Sequence, residues 1–74
     1  MTNAEIITLN KYLYKIPEAM TLLSLSRSVI YEQIRAGRLR FVKQGRATLV
    51  PASAIRDYVA LLEQEAEVHY GESA

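Results

Sequence analysis

Cysteine and tryptophan are absent from the 74-residue chain, histidine occurs once, and there are only three glycines and two prolines. Without cysteine there are no disulfide staples, thiol nucleophiles or thiolate zinc sites, and a small unstapled domain suggests a reducing cytoplasm or a partner that adds stability. Long apolar runs are missing too. Stretches such as Val59 to Leu62 are far too short to cross a hydrocarbon layer of about 30 Å. Ahead of the first apolar run stands Glu5 with no basic segment, so the amino terminus does not read as a secretory signal. The inventory for catalysis is equally thin. His69 lies near the end of the chain, and Glu63, Glu65 and Glu67 alternate along the chain, so on a helix they point apart rather than converging on a metal. A chain of this length buries only about 60% of its unfolded surface, which leaves too thin a core for a walled cleft. The sequence therefore predicts no enzyme, no metal, no cofactor, no small-molecule substrate and no membrane span.

What is present is an apolar fraction of 50%, the level of an ordinary folded domain, and an uneven charge. The formal net charge is only +1. Yet residues 27–56 hold Arg27, Arg35, Arg38, Arg40, Lys43, Arg46 and Arg56 against Glu32 alone, whereas residues 57–74 hold Asp57, Glu63, Glu65, Glu67 and Glu72 with no cation. A basic middle beside an acidic end points to a polyanion on one surface, with a solvated mixed surface as the bland alternative.

Residues 1–11 show no sustained periodicity and read as a flexible arm. Tyr12 to Tyr14 suit a short strand, and Pro17 and Glu18 suit the first turn of a helix over 16–23. Ser26 is a good N-cap for a second helix, Arg27 to Ala36, with Leu25 and Ile30 placed as a hydrophobic staple and Gly37 as its left-handed terminator. That helix carries Ile30 and Ile34 on one side, with Val29 and Gln33 beside them, and Arg27, Ser28, Tyr31 and Arg35 on the other. Two helices joined by about three residues in this way form a helix-turn-helix pattern; the alternative is an ordinary helical hairpin with a solvated outer face. From Leu39 to Val50 the period changes. Two β-prone runs flank Gln44 and Gly45, read as a two-residue hairpin turn with Lys43 and Arg46 beside its tip. A hairpin here is the wing of a winged helix, where cations can meet a minor groove. Pro51 opens a closing helix over about 51–65 whose Ile55, Tyr58, Val59 and Leu62 make one apolar stripe, read as core. Residues 67–74 read as a disordered acidic tail. The fold class is thus mainly α with a two-stranded wing: a winged helix-turn-helix over 12–66.

From Tyr14 to Leu62 the chain resembles the excisionase-like small DNA-binding proteins, related to the mercury-resistance-regulator type of winged helix. The residues that carry the likeness are Pro17-Glu18-Ala19, Leu23 and Leu25, then Ser26-Arg27-Ser28 with Ile30-Tyr31 and Ile34. Gly37, Leu39, Lys43, Gly45 and Arg46 complete it. The resemblance implies double-stranded DNA as partner, with Ser26 as helix cap, Arg27, Ser28, Tyr31 and Arg35 facing the major groove, and Lys43, Gln44 and Arg46 as the DNA-binding wing. It departs from the pattern at Lys15, where Ser or Thr caps are usual, at Val29, where Thr is usual, and at Gln33, where an apolar residue is common. Glu32 lies near the groove-facing side, where a carboxylate opposes phosphate unless it accepts from a cytosine or pairs with Arg35. Members of this group act as recombination directionality factors, which bend attachment-site DNA and bias a site-specific integrase towards excision, or as small transcriptional regulators. The resemblance and the small size favour the first, in the cytoplasm and nucleoid of a bacterial host. Because one helix and one wing make a small interface, several copies side by side along DNA are expected, with the acidic end at Glu63, Glu65 and Glu67 facing the basic surface of the next copy or of an integrase. A protein-interaction module without DNA binding is the alternative of a different class.

Overall fold

A computed structural model describes residues 10–73, with side chains through Glu67. The elements run β1 (Leu13–Lys15), α1 (Ile16–Leu23), α2 (Arg27–Arg35), β2 (Val42–Gln44), β3 (Ala47–Pro51) and α3 (Ala52–Ser73). Residues 1–9 of the expected arm lie outside the described residues, while Lys11 is part of the fold.

Local chemistry explains each boundary. At the start of α1, Lys15 occupies the N-cap position but its side chain offers no acceptor to the first helical N–H groups; only the reciprocal half of a capping box forms, with Glu18 Oε1 accepting from the Lys15 backbone N–H at 2.8 Å. The other oxygen of Glu18 is paired with the Lys11 ammonium, which also lies 6.0 Å above the Tyr14 ring. Ser24, with φ of 57°, ends α1 in the left-handed region, and the Leu25 N–H turns back to Met20 O at 3.0 Å. Ser26 then caps α2, its Oγ accepting from the Val29 N–H at 3.3 Å. Gly37, with φ of 77°, closes α2, a conformation that disfavours any residue with a Cβ.

The sheet has three strands, in the order β1-β3-β2, and is antiparallel throughout. The expected strand at 12–14 lies one residue later and belongs to this sheet, so the two-stranded wing is the outer part of a larger unit. Tyr14 faces Val50 across β1 and β3, and both are buried. Pro51 is not the first residue of the closing helix; it is the last of β3, opposite Leu13, at a strand end where its missing N–H breaks no ladder. The first helical N–H, that of Ala52, bonds instead to Tyr12 O at 2.8 Å, which ties α3 to β1.

The core gathers Tyr14, Ile16, Ala19, Ile30, Leu39, Val50 and, from α3, Ala52, Ala54, Ile55 and Tyr58. Of the stripe expected to be core, Ile55 and Tyr58 are buried, Val59 is half-buried and Leu62 is 38% exposed. Past Tyr58 no described side chain of the helix is fully buried, and residues 67–73, expected as a disordered tail, continue it as helical backbone. The run from Leu61 to Ala66 is composed of strong helix formers, so helical propensity persists where apolar periodicity has stopped.

Two outcomes follow for stability. Ile55→Ala costs about 2 to 5 kcal/mol, while Leu62→Ala stays within about 0.5 kcal/mol of the parent; urea titration of both variants reads the difference, and equal costs would place the edge of the core wrongly. Glu18 is held below its ordinary carboxyl value of 4.5 by the hydrogen bond from Lys11 and then by the Lys15 N–H. A lowered pKa means stability that is present above 4.5 and is lost as pH falls through the folded value. The gap in melting temperature between the parent and Glu18→Gln is therefore widest at neutral pH and closes below pH 4.5.

Candidate nucleic-acid interface

α2 is nine residues long, and its two sides differ sharply. Ile30 is fully buried, with Ile34 packed beside it on the core. At about 100° per residue, Ser28, Glu32 and Arg35 share the opposite side, and all three are exposed, as is Arg27 at its flank. Tyr31 differs from the outward-facing position expected of it: it is half-buried, packed against the core at the edge of the exposed face. Glu32 stands well inside that face. The Ser28 hydroxyl lies 3.3 Å from that of the capping Ser26, so the residue that starts the helix also orients the first polar side chain on its outer side.

The hairpin turn is Gly45-Arg46, one residue on from the expected Gln44-Gly45. Gln44 pairs with Ala47 as the last rung of the ladder. The reason lies in the backbone: Gly45 has φ of 60° and Arg46 is not in the positive region, which is the turn that needs glycine at its first central position. Arg46 consequently occupies the tip itself, while Lys43, one rung below, donates to the Thr48 hydroxyl at 3.1 Å. Lys43, Gln44 and Arg46 are all exposed.

Charge pairing sorts the basic middle of the chain into two groups. Arg38 forms a two-pronged pair with Glu65 of α3, at 2.7 and 2.8 Å, and Arg40 pairs with Asp57 of α3 at 2.6 Å. Neither pairing was legible from sequence spacing. Glu65, expected on the acidic surface that faces the next copy or an integrase, is thereby engaged with Arg38 of its own chain. Arg27, Arg35, Lys43 and Arg46 make no ion pair among the described residues. Four cations on α2 and the hairpin thus face solvent without a carboxylate partner, while α3 pairs with the two between them; the seventh, Arg56, is exposed on α3 itself and belongs to neither group. Among the described residues no cluster of His, Asp and Glu is arranged to hold a metal, and no helix is long and apolar enough to cross a membrane.

The two helices, their capped turn and the hairpin form a winged helix-turn-helix, and comparison with known proteins agrees. A family model described as a helix-turn-helix domain matches residues 13–60, from the first residue of β1 to the turn of α3 just beyond Tyr58. An excisionase of Streptomyces ambofaciens is 38% identical over 52 residues, an alignment that covers 70% of this chain and 84% of that protein. No solved structure matches. The family match over residues 13–60 and the 38% identity over most of both chains place this protein in the excisionase-like family of small helix-turn-helix DNA-binding proteins.

Proposed function

We propose that the chain is a recombination directionality factor: it binds repeated sites beside an attachment site, bends the DNA and biases a site-specific integrase towards excision, without a catalytic step of its own. The observation that carries the reading is the charge sorting. Arg27 and Arg35 on α2 and Lys43 and Arg46 on the hairpin present unpaired cations, whereas the intervening arginines are tied to α3. In this reading α2 lies in the major groove, with Arg27, Ser28 and Arg35 towards base edges and phosphates and Tyr31 packing at the groove wall. The hairpin, with Lys43, Gln44 and Arg46, reaches the adjacent minor groove or its phosphates. Glu32 either accepts from a cytosine amino group or opposes the backbone and restricts which sites are tolerated.

A single short helix and one wing form a module that buries roughly 600 to 1,000 Å², which seldom supplies both tight and selective binding. Repeated sites filled side by side make up the difference, and an excisionase is the kind of protein to which 38% identity ties this one. Such a protein works by shaping DNA for an integrase, and its host compartment is the bacterial cytoplasm and nucleoid.

Binding titrations on a duplex selected by the protein from a random pool separate the two surfaces. Arg27→Ala and Arg35→Ala each cost about 1 to 3 kcal/mol and relax specificity at one position. The double variant Lys43→Ala with Arg46→Ala weakens binding to all duplexes and lowers the log-log salt slope by about 1.8; a parental slope would leave the wing off the DNA. A circular-permutation bending assay on fragments with one, two and three selected sites tests the architectural role. Bending that grows with site number and cooperative filling are expected, while straight DNA filled independently would favour a simple transcriptional regulator.

A further inference from the structure

The end of α2 is closed by two backbone bonds, Gly37 N–H to Ile34 O at 3.1 Å and Arg38 N–H to Gln33 O at 2.9 Å, with the Leu39 N–H on the same Gln33 oxygen at 3.2 Å. In such a closure the residue before the end that accepts the long backbone bond and the residue after it that donates are side-chain neighbours, and both are commonly apolar. At the end of α1 these places belong to Met20 and Leu25, and both pack on the core. At the end of α2 they belong to Gln33 and Arg38, joined by a hydrogen bond from Arg38 Nε to Gln33 Oε1 at 2.7 Å. The remaining two nitrogens of the guanidinium go to the two oxygens of Glu65. One planar fork therefore joins α2, the segment leading to the wing, and α3.

That geometry differs from a surface ion pair that only adds charge. Three bonds fix the plane of the guanidinium, which a single ammonium contact does not do. The hydrogen bond between them holds the Glu65 carboxyl below its ordinary value and Arg38 above its own. With side-chain exposures of 32% and 46%, the pair contributes little to overall stability. Gln33 lies on the side of α2 away from Ser28 and Arg35, so Arg38 braces the helix from behind. Glu65 itself lies beyond the residues 13–60 matched by the domain family.

We infer that Glu65 is a positioning residue for DNA recognition: through Arg38 and Gln33 it holds the C-terminal end of α2, and with it Arg35, in the orientation that meets the duplex. The inference rests on the reading of α2 as the recognition helix. It reverses the ordinary sign for a carboxylate, since removing an anion from a DNA-binding protein should strengthen binding by charge alone.

The test compares Glu65→Gln, Arg38→Lys and Glu67→Gln in the full chain, on the duplex selected by the parent and on a shuffled duplex of the same composition, below the onset of melting for every variant. Glu65→Gln is expected to bind the selected duplex about tenfold more weakly while binding the shuffled duplex at least as well as the parent. Arg38→Lys, which keeps the charge and loses the fork, shows the same selective loss. Glu67→Gln, which removes the same charge two residues along α3, shows none. Hydrogen exchange gives a readout independent of DNA: the Arg38 and Leu39 amides exchange faster in Glu65→Gln, and the Ile30 amide does not. Selected-duplex binding by Glu65→Gln or Arg38→Lys as tight as the parent's would overturn the inference and leave the DNA-binding reading intact. A parent chain that selects no duplex would overturn both.

Discussion

A nine-residue helix has no lasting stability of its own in water, so α2 depends on one interaction: the complete burial of Ile30 in the common core. Everything the outer face can do follows from that anchor, because fixing Ile30 inward fixes Ser28, Glu32 and Arg35 outward. The caps act on the same helix from its two ends. Ser26 sets where it starts, and Gly37 sets where it stops and how the chain departs towards the wing. A domain this small cannot orient a helix by packing area alone, and hydrogen-bonded ends supply the precision that area does not.

The long third helix has two separate roles. Its first two turns complete the core through Ala54, Ile55 and Tyr58, and the remainder carries carboxylates out beside the domain. Asp57 and Glu65 take up Arg40 and Arg38, which lie between α2 and the hairpin. A net charge of +1 thus conceals a division of labour: arginines facing α3 organise the protein, and cations facing away from it remain available to a polyanion. Long-range steering is weak for so small a net charge, so in the proposed reading the attraction of DNA falls to the local potential at α2 and the hairpin tip.

Much of this was legible in the sequence because it is local. Pro17, Ser26 and Gly37 mark helix ends by their own backbone chemistry, and the bounds of α1 and α2 followed from them to within a residue. The hairpin was legible but its turn was not, since Gln44-Gly45 and Gly45-Arg46 are both plausible glycine turns and only the ladder decides between them. The end of α3 was misread because apolar periodicity reports burial, and a helix that leaves the core loses the pattern without losing the helix. The excess exposure of Leu62 has the same origin. Least legible were the pairings of Arg38 with Glu65 and Arg40 with Asp57, which join residues far apart in the chain and depend on where α3 passes. Gln33, a departure from the family pattern, finds its explanation there: it substitutes a polar contact with Arg38 for an apolar one.

The central claim is that two sets of cations have different partners, and arginine side-chain NMR tests it directly. Each arginine Nε–H gives its own signal, and a titration with the selected duplex reports which of them change environment. The account predicts large shifts and slowed exchange for Arg27, Arg35 and Arg46, with Arg38 and Arg40 retaining the signals of their carboxylate pairs throughout. Shifts at Arg38 and Arg40 with Arg27 and Arg35 unmoved would contradict it, because DNA would then be meeting the side of the domain assigned here to α3.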